Sequence, residues 1–478
     1  MPKLFKIANK DLKDSYDIED LLSYQSFPFK MMGLLSFDFE KRIPPSLLSS
    51  YNVLKNIVGL LVILLPTAQL IFLIKTCYDE RDADLLYLAN LITSVFMLGG
   101  SACVLTHLFV KRDELQSLVA FINTRFKRRS EKGLEYVTIT TAYRVTLYIT
   151  IVWINLPAAS VLFWSFGSVF SGTREFPVHS WYPFDAKLQK GINKLKNALF
   201  QQLYVFELIC LIQIVTQLIM VTSYASISVL FLSMVIMSCS QLDILFCEAK
   251  NLWFTSAIHA DYNSSLLRLY QRNKMNQDEE VNQYFCSTEI QEDFGHLEYD
   301  NEDTRDLGSP SFEITPSLRV GMRLAIKRIA QHHAMIMEFG KKLESLYNFL
   351  AFLRVGEMTL QLCFLAFVAV QAKQDFKAFF NNVQYIILTL IDLSLYAYPG
   401  EMLRQQSVKV GDALMRAQWS EISRYFKNDI LIIQTCSLRP ITLSGAKIFP
   451  LDISQLKMAV TTAFSYYTLL ESIAARKD

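Results

Sequence analysis

The sequence predicts an all-α integral membrane protein with seven transmembrane helices in an inverted topology, N-terminus cytoplasmic and C-terminus extracellular. Three observations carry this. Hydrophobic residues make up 52% of the 478 and charged residues only 19%, whereas a soluble domain carries about 25% charged residues. Four long stretches are almost free of charge, and three more are apolar but interrupted by polar groups. Lysine and arginine concentrate in alternate connections, which orients a membrane protein with its positive loops inside.

A crossing needs roughly 20 apolar residues. Residues 56–74, 85–110, 145–173 and 208–242 meet this. The last run exceeds one bilayer thickness, so its helix must tilt or project. Residues 346–372 contain Arg354 and Glu357, and residues 378–400 contain Asp392 and a Tyr398-Pro399-Gly400 break. Residues 453–474 alternate hydroxyls with bulky apolar groups. Charge facing lipid is costly, so helices five to seven are expected inside a bundle or oligomer, with helices one to four toward lipid.

The chain divides into a cytoplasmic N-terminal segment (1–55), transmembrane helices one to four (56–242), a cytoplasmic loop (243–320), helices five and six (321–405), a cytoplasmic anchor helix (406–440) and a final helix (450–475). The N-terminus lacks a signal-peptide core, so the first span must direct its own insertion. Residues 111–144 are strongly basic, and residues 75–84 are acidic on balance. Residues 174–196 run against the orientation with Arg174, Lys187, Lys190, Lys194 and Lys196. The sequon at Asn263 falls in the four–five loop, where this orientation keeps it free of sugar. Residues 278–306 hold eleven acidic residues and one arginine, a composition that fits either disorder or an acidic docking tail. Helical periodicity with a basic face continues over 317–345.

A net charge of +2 gives no global field for a nucleic-acid partner. Eight scattered cysteines form no metal or disulfide pattern and read as small core residues. No metal ligand set, cofactor motif or catalytic motif (G-x-G-x-x-G, P-loop, H-E-x-x-H, nucleophile elbow) is present, so an enzyme is not expected. The His332-His333 pair is expected on a solvated helix face. The third span lacks the Asp/Glu-Arg-Tyr box and the last lacks Asn-Pro-x-x-Tyr, against a G-protein-coupled receptor. No paired broken helices suggest a transporter.

In the final helix, Thr461, Ser465, Thr468 and Ser472 share one narrow face, with Leu469 and Ile473 beside it. Such a stripe either bonds a neighbouring helix or lines a hydrated pore that apolar rings gate by dewetting. Periodicity leaves both uses open.

The C-terminal motifs Trp419, Pro440, Ala446, Phe449, the segment 450–454 and Ser465-Tyr466 resemble the insect odorant receptor signature. Insect gustatory receptors are the near alternative, but their final Thr-Tyr and Gln-Phe motif is not matched. The shared odorant co-receptor usually ends its final helix in Gln, where this chain has Ser472. The resemblance therefore favours a ligand-tuned subunit.

It implies an odorant-gated, non-selective cation channel of four subunits at the plasma membrane of an olfactory neuron's dendrite. The partners implied are the co-receptor, a small volatile odorant and the lipid bilayer, with a homomer of this chain as the alternative assembly. The pore and gate would fall on Thr461, Ser465, Thr468, Leu469, Ser472 and Ile473. Glu471 could attract cations or pair with a neighbouring subunit. The ligand pocket would draw on Tyr87, Leu91 and Ile92, then on Trp153, Leu156, Ser160 and Trp164. Tyr204, Leu208, Ile212, Tyr385 and Thr389 complete the set. A dry, aromatic-lined cavity with one or two polar groups is the expectation.

Overall fold

The computed structural model of the chain describes residues 20–37, 40, 44–83, 85–131, 135–170, 178, 180, 196–260, 291–292, 315–372, 376–416 and 419–474. Asn263 lies outside them, as does nearly all of 278–306. The helices are α1 (Ser23–Met31), α2 (Pro45–Asp79), α3 (Leu85–Val110), α4 (Arg112–Arg125), α5 (Thr140–Phe170), α6 (Lys196–Lys250), α7 (Leu252–His259), α8 (Pro316–Gln371), α9 (Phe376–Arg416), α10 (Trp419–Ser437) and α11 (Ile453–Ala474).

Among the described residues, α2, α3, α5, α6, α8 and α9 are long and apolar enough to cross a membrane. At about 1.5 Å per residue, the 22 residues of α11 also span a roughly 30 Å hydrocarbon core. The hydroxyls of α11 lower its apolarity, and it supplies the seventh crossing. The 55 residues of α6 and 56 of α8 run far beyond that thickness, so part of each lies outside the hydrocarbon. The basic stretch 317–345 is therefore a continuous extension of the fifth span.

Local sequence explains where α8 starts. Thr315 accepts a hydrogen bond from Leu318 N, and Pro316 fills the first helical position, where a missing N–H costs nothing. The α4 helix buries Leu115, Leu118, Phe121 and Ile122 on one face. Asp113 and Glu114 in its first turn and Arg125 in its last complement the helix dipole.

Burial corrects one expectation. The fourth span, α6, has 89% of its most apolar stretch buried, against 22% for α2 and 22% for α9. Within one chain α6 is the central helix, packed by α5, α8 and α9. Apolarity alone does not separate lipid from protein surroundings, because both are dry. The small hydroxyl residues do: Ser223, Ser226, Ser228, Ser233, Ser238 and Ser240 are all buried, and they let neighbouring backbones approach.

Two further corrections concern single motifs. Helix α9 runs unbroken through Tyr398-Pro399-Gly400. Gly400 is required by packing, since a Cβ there would collide with the Leu451 carbonyl at the foot of α11. The histidine pair is buried, with His332 3% and His333 4% exposed. His332 Nδ1 lies 3.0 Å from Glu248 Oε2, and its Nε2 lies 3.1 Å from Gln241 Oε1. Lys127 Nζ donates to the same carboxylate at 2.7 Å. These contacts tie the α4–α5 connection to α6 and α8. Of the described cysteines, Cys210, Cys239, Cys247 and Cys363 are buried, whereas Cys103 and Cys436 are exposed.

Between α10 and α11 a short antiparallel hairpin pairs Ser444–Gly445 with Phe449–Pro450. Its turn places Ala446 (φ 50°) and Lys447 (φ 59°) in the left-handed region. That conformation is uncommon for residues with a Cβ, and contacts to α8 hold it. Ala446 N donates to Asn348 O at 2.9 Å, and Ser444 N donates to Glu344 Oε2 at 2.8 Å.

Candidate ligand cavity and pore helix

A cavity of about 530 Å³ opens between α2, α3, α5, α6, α8 and α9, at the end of the bundle opposite α4, α7 and α10. A smaller chamber of about 80 Å³ lies beside it. Met97, Val221, Gln361 and Tyr385 line both, so the chambers adjoin.

Tyr87, Leu91, Trp164 and Tyr385 line the large chamber, and Trp153, Tyr385 and Thr389 line the small one. Ile92 and Ser160 line neither, and Ser160 instead accepts from Gln384 Nε2 at 2.6 Å. Leu156, Leu208 and Ile212 are exposed on the outside of the chain. They follow the same apolar pattern as the lining residues, and the pattern does not tell an inner face from a lipid face. The side chain of Tyr204 lies outside the described part of the structure.

The cavity is more polar than an aromatic-lined site. Its walls include the amides of Gln69, Asn90, Gln217, Gln361, Asn381 and Asn382. Several are already partnered: Gln217 Oε1 accepts from Ser165 Oγ at 3.2 Å, and Asn382 Nδ2 donates to Ala378 O at 2.8 Å. Gln69 is 5% exposed, and neither of its amide atoms has a hydrogen-bond partner. Asn381 Oδ1 is also unpartnered. Buried amides without partners are costly, and these could bond a polar group placed in the cavity. Val178 closes one side of the cavity, exchanging backbone bonds of 3.1 Å each way with the Gln213 amide of α6.

Charged residues lie against the small chamber. Arg354 Nη1 donates to Glu357 Oε2 at 2.7 Å, and Arg354 Nη2 donates to Asp392 Oδ2. The guanidinium sits 3.6 Å from the centroid of the Tyr224 ring, a cation–π contact. Tyr224 Oη lies 2.7 Å from both Met97 O and Glu357 Oε1. The polar residues that weaken spans five and six are thus one another's partners.

On α11, Thr461, Ser465, Thr468, Leu469 and Ser472 are all exposed in the single chain. The side chain of Ile473 lies outside the described part. The four hydroxyls donate to carbonyls of their own helix at 2.7–3.0 Å. They are therefore satisfied without a neighbouring helix. The opposite face buries Ala459 and Ala463 and packs on α8 and α9.

Sequence reasoning found the stripe and the aromatics but missed the amides. Gln69, Asn90 and Gln217 are single residues within uncharged spans, where a hydropathy average dilutes them, and Gln361, Asn381 and Asn382 stand in spans whose charged residues draw the attention instead.

A family profile described as "7tm Odorant receptor" matches residues 87–464. Odorant receptor 83a of Drosophila melanogaster is 28% identical, with 84% of this chain and 83% of that protein covered. Putative odorant receptor 85e of the same species is 26% identical over 81% and 77%. The odorant receptor coreceptor of Anopheles gambiae is 22% identical over 76% of each. In structure, the olfactory receptor OR5 of Machilis hrabei superposes with a TM-score of 0.68 at 14% identity, covering 96% of this chain and 99% of that one. The same receptor in complex with eugenol gives a TM-score of 0.61.

Proposed function

Since this chain belongs to the insect odorant receptor family, a family of receptors and not enzymes, we propose that it is the ligand-tuned subunit of an odorant-gated, non-selective cation channel. It binds a small volatile in the cavity between α2, α3, α5, α6, α8 and α9. It assembles with odorant co-receptor subunits, in a tetramer, around a central pore in the plasma membrane of an olfactory neuron's dendrite. Four copies of α11 or its equivalent line that pore.

The observation that carries this reading is the exposed face of α11, where four self-satisfied hydroxyls flank Leu469. A hydroxyl whose proton is spent within its own helix still offers lone pairs to passing hydrated cations. The exposed apolar groups Val460, Phe464 and Tyr466 on the same helix suit contact with neighbouring subunits.

Helix α9 connects ligand to gate. Tyr385, Thr389 and Asp392 reach the cavity, and Gly400, about two turns beyond Asp392, touches Leu451 beneath α11. A ligand that fits better when α9 shifts also favours the shifted α11, as population shift requires. The orientation places α4, α7 and α10 in the cytoplasm and the cavity in the outer half. Sugar attached at Asn263 would contradict it.

The test is whole-cell recording under a panel of volatiles, with and without an odorant co-receptor. Evoked cation current only with the partner supports a tuning subunit. Silence in both, with the protein confirmed at the surface, argues against the reading.

A further inference from the structure

The small chamber contains two complementary orphans. Asp392 and Arg354 both line it. Asp392 is 7% exposed and Arg354 3%. Asp392 Oδ2 is engaged by Arg354, but Asp392 Oδ1 accepts no hydrogen bond. Arg354 Nη1 and Nη2 are engaged by carboxylates, but its Nε–H has no acceptor. An acceptor atom and a donor atom, each without a partner, therefore belong to the same ion pair.

Two nearby hydroxyls are committed elsewhere, while the Gln361 amide lines the chamber on the side it shares with the large one. Thr389 Oγ1 donates to Tyr385 O at 2.8 Å. Tyr224 Oη serves Met97 O and Glu357 Oε1. The remaining wall is largely apolar, with Trp153, Pro157, Met358 and Leu388.

A ligand group that completes both orphans must donate one hydrogen bond and accept another. Ethers, ketones and esters only accept, and leave Asp392 unfilled. A carboxylate only accepts, and meets the charge of Glu357 and Asp392. An ammonium only donates, and meets the Arg354 guanidinium; alkyl amines are mostly protonated near neutral pH. A hydroxyl does both, is compact and adds no charge. A cavity of about 80 Å³ accommodates it with part of a ring.

We infer that the small chamber is a hydroxyl subsite, and that volatile alcohols or phenols are the preferred ligand class, their O–H bridging Asp392 and Arg354 with the ring against Trp153 and Tyr385. This rests on the odorant-channel reading above and adds the ligand class. A water held at the orphans would be replaced bond for bond by a hydroxyl, but not by its methyl ether.

The experiment uses matched pairs: benzyl alcohol against benzyl methyl ether, and 4-methylphenol against 4-methylanisole, with benzylamine and benzaldehyde as further arms. Two readouts are taken from the full chain co-expressed with a co-receptor: evoked current, and ligand-induced thermal stabilisation of the purified complex. The hydroxyl member of at least one pair is expected to act at least about tenfold more potently than its ether, because a site built for a hydroxyl rejects analogues lacking one. Which pair responds tells alcohol from phenol. Asp392→Asn keeps the side chain's size and removes the charge, and it should shrink the difference to about twofold or less.

Ethers, amine or aldehyde matching the hydroxyl compounds in the wild-type complex would overturn the inference, and so would no stabilisation by any hydroxyl compound. That comparison needs no variant, so a poorly folding Asp392→Asn does not shield the idea. Hydroxyl-selective stabilisation without current would uphold the subsite and count against the channel reading instead.

Discussion

Arg354 on α8 donates to Asp392 on α9, 38 residues away in sequence and deep in the apolar interior. Glu357, one turn along α8, engages the same guanidinium. Breaking a buried pair by removing one partner typically costs about 3–5 kcal/mol, because a charge is left uncompensated. Arg354→Met strands two carboxylates and should greatly reduce mature receptor at the surface, read by surface biotinylation. The triple change Arg354→Met, Glu357→Gln and Asp392→Asn removes every charge together and should recover much of it. Normal surface levels for the single variant would show that the cluster is not structural.

Gly400 allows α9 to lie against the Leu451 carbonyl beneath α11. Gly400→Ala inserts a methyl group where backbone already stands, and overpacking costs about 1–3 kcal/mol. The expected result is receptor at the surface with a several-fold smaller maximal current. An unchanged maximum would remove this contact from the path between ligand and gate.

The stripe on α11 makes an accessibility prediction. Cysteines at Thr461, Ser465, Thr468 or Ser472 should react with a hydrophilic, charged thiol reagent applied to open channels, and the current should fall irreversibly. Cysteines at Ala459 or Ala463, packed against α8 and α9, should stay inert. Reaction at the alanines and protection at the hydroxyl positions would put the pore on the other face.

Cavity residues and outer-surface residues should separate in dose–response curves. Trp164→Ala and Tyr385→Ala each remove lining aromatic surface, and an aromatic contact is worth about 0.5–1.5 kcal/mol beyond its burial. Half-maximal concentrations should rise at least about tenfold, equivalent to 1.4 kcal/mol. Leu208→Ala and Ile212→Ala alter exposed positions and should leave potency within about twofold.

The proposed ligand cavity includes the amide of Gln69, and so predicts a part for the first span in ligand choice. Gln69→Leu replaces a buried, unpartnered amide with an apolar side chain of similar size, a change that is near neutral or stabilising for folding. Surface levels should hold or rise, while potency falls for polar ligands more than for hydrocarbons. A uniform loss across both would make Gln69 a packing residue.

Much of this architecture is legible in the sequence. Spans one to four announce themselves as uncharged runs, and the stripe of Thr461, Ser465, Thr468 and Ser472 follows from a 3.6-residue period. The long extension of α8 is visible as basic periodicity before the fifth span. Other features depend on partners distant along the chain. Arg354, Glu357 and Asp392 read singly as weak points, and only the packing of α8 on α9 joins them. His332 reads as a surface residue until Glu248, 84 positions earlier, reaches it. The central place of α6 escapes hydropathy because protein and lipid interiors are equally apolar, and its buried serines carry the signal instead. The amides of the cavity are visible letter by letter, but their convergence from α2, α3, α6, α8 and α9 is a property of the fold.

The central claim is that ligand binding opens an ion pathway within this protein's own assembly. The most direct measurement is an outside-out patch from cells co-expressing the chain and a co-receptor, with no nucleotide in the pipette, under rapid perfusion of an active volatile. The account predicts unitary cation currents that begin within milliseconds and persist without GTP. Currents that need GTP, or that vanish on excision while the receptor remains in the patch, would contradict it.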